Sequence, residues 1–204
     1  MSAFPSNVSG LKKTIRRDML SRRDALAPSE AESAREVLWS RLEKMLRIAE
    51  KKSAAPLTVM SYMAFRGEFP TEDFCRKVLD SGMKLVLPIT DRDFKIHAFA
   101  VSDLSELMTS RLGIQEPNPE ICREVSANDP DIIILPGVAF DCTGGRIGFG
   151  KGCYDRFLSV RKRDVTLIGA AYDFQITEFP LPADPYDIPM DYIVTEKRMI
   201  RCKK

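Results

Sequence analysis

The chain has 204 residues, of which 44% are hydrophobic and 29% charged, and its formal net charge at pH 7 is +2. That length suits one substantial core, and a charge this small does not point to a nucleic-acid or membrane-surface partner. No stretch reaches the roughly 18 apolar residues a membrane span needs, and the five cysteines form an odd set without a Cys-x-x-Cys pair, so neither a disulfide framework nor a zinc site is expected.

The N-terminal segment "LKKTIRRDML" reads as a helix with Leu11, Ile15, Met19 and Leu20 near one face and basic residues opposite. The start, "MSAFPSNVSGLKKTIRR", has no apolar h-region, so no secretory signal is expected and a reducing cytoplasm fits the cysteine usage. A second helix begins near "PSEAE", with Pro28 in the first turn and capping-box spacing between Ser29 and Glu32. Leu38, Leu42, Met45, Leu46 and Ala49 continue it at helical intervals until "KKSAAP".

Strands and helices then alternate. "LTVMSYM" reads as a buried strand, and "TEDFCRKVLDSG" as a helix with Thr71 as N-cap and Gly82 beyond its end. "KLVLP" and "KIHAFAV" are further strands. His97, the sole histidine, falls in the second of these as an ordinary strand residue, which makes Ser-His and most metal-hydrolase schemes poor fits. "DIIILPGVAF" has the continuous apolar run of a central parallel strand, followed by a glycine loop and a helix from about Tyr154. "VTLIGAAY" and "DYIVTE" close the series, with the proline-rich "FPLPADPYDIP" between them as a long ordered loop or lid. The order predicts an α/β fold: one Rossmann-like three-layer domain over residues 1–204, a mostly parallel sheet flanked by helices on both faces. Ligands in such sheets bind beyond the carboxyl ends of the strands.

The loop itself, "GGRIGFGKGCYDRFL", is the chemical signal. Gly144, Gly145, Gly148, Gly150 and Gly152 are five of the chain's eleven glycines, and Arg146 and Lys151 sit among them. A turn needs one or two glycines; a cluster implies unusual dihedrals or a ligand close to the backbone. Gly145-x-x-x-x-Gly150-Lys151 meets most of the phosphate-binding P-loop pattern, but Gly152 replaces the Ser or Thr that would hold magnesium. The loop is therefore not a standard nucleotide-hydrolase loop, yet its backbone N–H groups, the following helix and two cations still suit an anion. Asp155 is either a metal-linked acid or a complement to the helix dipole, and on spacing alone Asp187 and Asp191 read as loop and strand-start acids.

Taken together, "ILPGVAFDCTGGRIGFGKGCYDRFL", "KKTIR", "YMAFRGEFPT", "LGIQEP" and "YDIPMDYIVTE" closely resemble the 5-formyltetrahydrofolate cyclo-ligase (methenyltetrahydrofolate synthetase) family, over nearly the whole chain and in the family's order. A monomer is expected, and the resemblance implies a magnesium-dependent enzyme that converts 5-formyltetrahydrofolate and ATP into 5,10-methenyltetrahydrofolate, ADP and phosphate. It implies ATP contacts from the segment Lys12, Lys13, Thr14, Ile15 and Arg16, and from the segment Arg146, Ile147, Gly148, Phe149, Gly150, Lys151, Gly152, Cys153 and Tyr154. Folate contacts would come from Met63, Glu68, Phe149, Gly150, Lys151, Gly152 and Cys153. Arg146 and Lys151 would be catalytic, and Asp155 and Asp187 linked to magnesium. Three positions depart from the family's pattern: Cys153 where Tyr or Phe is usual, Tyr186 for a frequent His, and Pro189 within that loop. A non-catalytic nucleotide or folate binder and an unrelated kinase are the alternatives, and magnesium-dependent ADP release that needs 5-formyltetrahydrofolate separates all three.

Overall fold

The computed structural model describes residues 8–160 and 165–202. The reading of residues 1–17 as lacking a signal segment thus lies outside the described residues at positions 1–7. Two helices come first, α1 (Val8–Asp24) and α2 (Pro28–Glu50), followed by strand β1 (Thr58–Met60), helix α3 (Glu72–Asp80) and strands β2 (Lys84–Thr90) and β3 (Ile96–Val101). Short strands β4 (Leu107–Thr109), β5 (Gln115–Pro117) and β6 (Arg123–Val125) lead to β7 (Ile132–Leu135), β8 (Ala139–Asp141) and β9 (Arg146–Ile147). Helix α4 (Cys153–Leu158) and strands β10 (Thr166–Ala170), β11 (Ile176–Thr177), β12 (Tyr192–Val194) and β13 (Met199–Arg201) complete the chain.

The main sheet has the order β13-β12-β10-β7-β1-β2-β3-β6. Its five central strands, from β12 to β2, pair in parallel, and β13, β3 and β6 add antiparallel edges. Strand alternation sorts the core into two faces. Val59, Leu85, Leu87, Ile132, Ile134 and Ile168 pack with Leu38, Trp39 and Leu42 of α2 and Phe74 and Val78 of α3. Met60, Val86, Ile133, Leu135, Leu167 and Ile193 face the other way and pack with Phe157 and Leu158 of α4. The all-apolar β7, buried at every position, sits in the middle of this sheet, because only a strand covered on both faces can be apolar throughout.

The structure departs from the sequence reading at three places, each for a local reason. The apolar run through "DIIILPGVAF" is two strands rather than one. The chain leaves the main sheet at Pro136–Gly137, and β8 joins a separate small sheet of order β11-β8-β9. Phe140 lies so close to residue 137 that a Cβ there would come within 2.4 Å of its ring, which fixes the break at a glycine. The Ser29–Glu32 capping box does not form; half of one lies two residues earlier, at Ala27 and Glu30. Pro28 takes the first helical position, where its missing N–H is no loss, and Glu30 Oε2 accepts from the Ala27 N–H at 3.3 Å. Thr71 precedes α3 but does not cap it, since its hydroxyl donates to the Tyr62 carbonyl and ties the helix start to the chain after β1. Gly82 does stand just past the end of α3, with a φ of +75°.

Candidate active site

Strand β1 lies between β2, which follows it through α3, and β7, from which the sheet continues to β10 in the opposite direction. This is the switch point of the sheet, where the loops leaving adjacent strands part and open a crevice. A cavity of about 500 Å³ occupies it. Tyr62 and Met63 come from the end of β1, Pro88 and Thr90 from the end of β2, and Pro136 and Gly137 from the end of β7. The wall is completed by α1, the turn before Glu68, the glycine loop and Asp184 and Asp187 of the proline-rich segment.

The five glycines divide their work. Gly144 and Gly145 belong to the β8–β9 hairpin, and Gly144 adopts a φ of +97° with its α-carbon pressed on the chain at Met190, where a Cβ would come within 2.5 Å of the carbonyl oxygen. Gly148, Gly150 and Gly152 line the cavity. The helix beyond them, α4, has only six residues, so the positive helix end expected there adds little, and the loop's own N–H groups and the cations carry the charge.

Those cations converge from three elements. Lys12 and Arg16, one helical turn apart on α1, both face the cavity. Lys12 is buried, with Nζ 2.7 Å from Asp184 Oδ2 and 2.5 Å from Asp187 Oδ2. Burial alone would lower its pKa, but the two carboxylates outweigh this and hold it above the usual lysine value. Arg16 Nε donates to the Gly148 carbonyl at 2.6 Å and packs over Gly150. Arg146 has a side chain only 5% exposed, with Nη2 donating to Asp155 Oδ1 at 3.1 Å and Nη1 to the Pro136 carbonyl at 3.3 Å. Lys151 Nζ rests 4.5 Å from the centre of the Phe94 ring, at the tip of the β2–β3 turn.

Glu68 marks a different kind of wall. Its Oε2 accepts from the Phe65 N–H at 3.0 Å, and the Glu68 N–H donates back to the Phe65 carbonyl at 3.1 Å. Burial raises the carboxyl to about 7, against the Phe65 hydrogen bond and the charges of Arg23 and Arg146, which pull it down. A carboxyl poised near neutrality in a cleft fits a ligand-reading or proton-handling site. Phe65 and Phe149 meet edge to face beside it, with ring centres 6.4 Å apart.

Most of the residues singled out in the sequence meet at this cavity: Lys12, Arg16, Met63, Glu68, Arg146 through Asp155, and Asp187. Lys13, Thr14 and Ile15 do not line it. Lys13 and Thr14 point to solvent, while Ile15 packs with Met19 on Ala139, Ile147 and Leu181, as the amphipathic pattern of α1 requires. Of the three departures from the family pattern, Cys153 lines the cavity, whereas Tyr186 is 86% exposed and stays clear of it. Asp191 does not line this cavity; its Oδ2 accepts from the Leu167 N–H at 2.8 Å, at the start of β10.

Sequence reasoning overlooked Asp141. Oδ1 of this buried carboxylate accepts from Thr143 N at 2.7 Å, Thr143 Oγ1 at 2.6 Å and Gly145 N at 3.0 Å, and Oδ2 accepts from Leu181 N at 2.7 Å. It shapes the hairpin that aims Arg146 and pins the proline-rich segment that carries Asp184 and Asp187. The Asp-x-Thr-Gly-Gly string, an Asx-turn pattern, was the available signal. Burial would raise this carboxyl, but its hydrogen bonds prevail and hold it below the usual value, so its stabilisation is full above pH 3.8 and fades as the pH falls below that. Asp141→Ala is expected to cost about 2–4 kcal/mol and to lower the melting temperature at pH 7 by roughly 5–15 °C, with the loss shrinking toward pH 3. Thermal unfolding of both proteins across pH checks this; an unchanged melting temperature would refute it.

The fold and the cavity define an open α/β protein with a cleft at its switch point, lined by four cations on one part of the wall and a perturbed carboxyl on another. The profile of the 5-formyltetrahydrofolate cyclo-ligase family matches residues 8–196, and the chain belongs to that family of ligases. The 5-formyltetrahydrofolate cyclo-ligase of Escherichia coli K12 is 32% identical over 151 residues, covering 70% of this chain and 79% of that protein. The Mycolicibacterium smegmatis cyclo-ligase is 26% identical over 200 residues, 96% of this chain and 97% of its own. Among solved structures, the Aquifex aeolicus 5,10-methenyltetrahydrofolate synthetase superposes with a TM-score of 0.81 at 36% identity, over 95% of this chain and 94% of that one.

Proposed function

We propose that this protein closes the ring of 5-formyltetrahydrofolate to 5,10-methenyltetrahydrofolate, using ATP and releasing ADP and phosphate. The observation that carries this reading is one cavity lined both by Lys12, Arg16, Arg146 and Lys151 and by Glu68 with Met63 and Phe149. The first set suits a triphosphate; the second suits a flat ring with an N–H edge facing a carboxylate. The sheet with α2 and α3 on one face and α4 on the other supports a single Rossmann-like domain.

The formyl oxygen is a poor leaving group, so the reaction needs it converted into phosphate. The γ-phosphoryl group passes from ATP to that oxygen, giving ADP and an iminium phosphate. The neighbouring folate amine then attacks the formyl carbon, loses its proton and expels phosphate as the ring closes. Arg146, with its side chain 5% exposed and held at two of its nitrogens, would stabilise charge on the transferring group without moving, which is where electrostatic catalysis gains most. Lys151, on a glycine-rich strip and with the Phe94 ring as its side-chain partner among the described residues, is free to follow the phosphates. Phe65, Phe149 and Met63 hold the folate so that the closing nitrogen stays near the formyl carbon, an orientation effect worth roughly 7–11 kcal/mol in well-aligned systems.

The acids present fit magnesium. Among the described residues no hydrogen bond reaches Asp155 Oδ2 or Asp187 Oδ1, so each carboxylate keeps one oxygen for a ligand, and the Ile188 N–H donates to Asp155 Oδ1 at 3.3 Å and brings their segments together. Among the described residues no group of three or more His, Cys, Asp or Glu could hold a metal alone, which suits an ion bound through one or two carboxylates plus substrate phosphates. Bound there, magnesium would neutralise phosphate charge. Lys12, shared between Asp184 and Asp187, would then hold the acid segment against α1.

The test is the near-ultraviolet absorbance of 5-formyltetrahydrofolate mixed with the protein. A rise that requires protein, ATP and magnesium together is expected; ATP binding without any rise would overturn the reading.

A further inference from the structure

Arg23 lies one layer behind the cavity wall, near the end of α1, and is 5% exposed. Its Nη2 donates to the Arg66 carbonyl at 2.6 Å, while Nε and Nη1 have no partner among the described residues. Its guanidinium also stands over the ring of Phe149, 5.7 Å from the centre. A buried arginine with one hydrogen bond is an unfavourable arrangement for the fold alone, since its desolvation is poorly offset. What it touches is unusual. Arg66 is a non-glycine residue with a φ of +48°, followed by Gly67 at +69°, so the turn from Phe65 to Glu68 holds two successive left-handed residues. Residue 67 packs on the Arg23 side chain, where a Cβ would lie 3.6 Å from it. Arg23 therefore braces, from behind, the strained turn that aims Glu68 into the cavity.

We infer that Arg23 is a positioning residue for folate recognition: it locks the Phe65–Glu68 turn and sets its positive charge behind Glu68 without bonding to it. The inference rests on the proposed folate site. Lys12, Arg16 and Arg23 follow one another along α1, so a single helix carries the phosphate contacts and, about two turns beyond Arg16, the brace of the folate wall. The groups whose charges act on Glu68 come from four elements: Arg23 of α1 and Arg146 of β9, which favour its charged form, and Tyr62 after β1 and Tyr154 of α4, whose ionisation Glu68 opposes. Burial already drives Glu68 toward its neutral form. Loss of the Arg23 charge would drive it further and leave a folate N–H edge facing a carboxylic acid.

The experiment compares Arg23→Met, Arg23→Lys and Glu68→Gln with the native protein, using methenyl formation across pH. Arg23→Met is expected to raise the folate KM about tenfold at pH 7 and to move the acidic limb of kcat/KM upward by about one pH unit, with the ATP KM unchanged. Raising the pH should restore most of the loss. Arg23→Lys, which keeps the charge, should keep the limb near its native position even where the turn is looser. In a Glu68→Gln background, Arg23→Met should change the folate KM less than twofold. A loss equal at every pH, or one that adds in full to Glu68→Gln, would overturn the inference. A ligand-free readout separates this from failure of the proposed activity: the stability difference between native protein and Glu68→Gln, followed with pH, titrates Glu68 directly. Arg23→Lys must leave that curve near its native position, while Arg23→Met must move it upward. If the curve stays in place the inference falls even if turnover is seen, and if it moves while no methenyl product forms, the activity falls and the brace stands.

Discussion

Replacing Arg146 with Met is expected to lower kcat by roughly 10²–10³ while changing the melting temperature by only a few degrees. The two halves of this expectation have separate causes. Arg146 is a cavity cation held by Asp155 and the Pro136 carbonyl, so in the proposed reaction it would meet developing charge already oriented, and its removal would cost transition-state stabilisation rather than ground-state binding. For the fold, the same residue is a buried guanidinium whose Nε has no partner among the described residues, and methionine fills a similar volume without that desolvation. Asp155 keeps the Ile188 N–H and is partly exposed, so it is not left stranded. Steady-state kinetics with both substrates and a thermal melt decide the matter. A rise in KM at constant kcat would show that Arg146 binds substrate and product state alike and does not favour the transition state.

The second large effect is a gain in stability bought with a loss of binding. In the folded protein the Glu68 carboxyl titrates at about 7, above its ordinary 4.5. A raised carboxyl means that the folded state holds more protons than the unfolded one between those values, so stability falls as pH rises through that window, and the deficit is complete above about pH 7. Glu68→Gln removes the charge and keeps the shape. The variant is therefore expected to be more stable than the native protein at pH 8, on the order of 1–3 kcal/mol or roughly 2–8 °C, with the difference vanishing near pH 4.5. Over the same change the folate KM should rise about ten- to a hundredfold, the usual cost of a lost charge-assisted pair, with the ATP KM unaltered. Calorimetric melts at pH 5 and pH 8 and a substrate titration check both halves. A variant less stable at pH 8, or one that loses ATP affinity, would place Glu68 in a different role.

Both residues show how the candidate site sits at odds with the fold that carries it. Arg146, Arg23 and Glu68 are charged groups drawn out of water, each incompletely partnered or shifted, around one cavity. The rest of the core is ordinary: apolar residues alternating along parallel strands, with aromatic packing of Trp39 against Phe69 and Phe74. Unfavourable electrostatics are concentrated where a ligand would relieve them.

The features that the sequence determined by itself are those set by local chemistry or by unbroken periodicity. The amphipathic stripes of α1 and α2, the apolar run of β7 at the sheet's centre and the glycine stop after α3 all follow from residues a few positions apart. Of the residues Lys12, Arg16, Glu68, Arg146, Lys151, Asp155 and Asp187, the glycine loop's Arg146 and Lys151 stood out by themselves and the others were legible only through the family resemblance of the strings that carry them; all seven meet in one cavity. Tertiary structure decided what those strings could not. Pro28 displaced the cap that Ser29 and Glu32 seemed to offer, and Phe140 forced the apolar run to break at Gly137. Lys13 and Thr14 share a motif with Lys12 yet face solvent, because helical geometry turns neighbours about 100° apart and only one stripe of α1 can face the cleft. Asp141 and Arg23 looked like unremarkable polar residues until folding surrounded one with four hydrogen bonds and left the other almost unpartnered behind Glu68. Burial and partners are properties of the packed chain, and a carboxyl or guanidinium acquires its energy from them rather than from its neighbours in sequence.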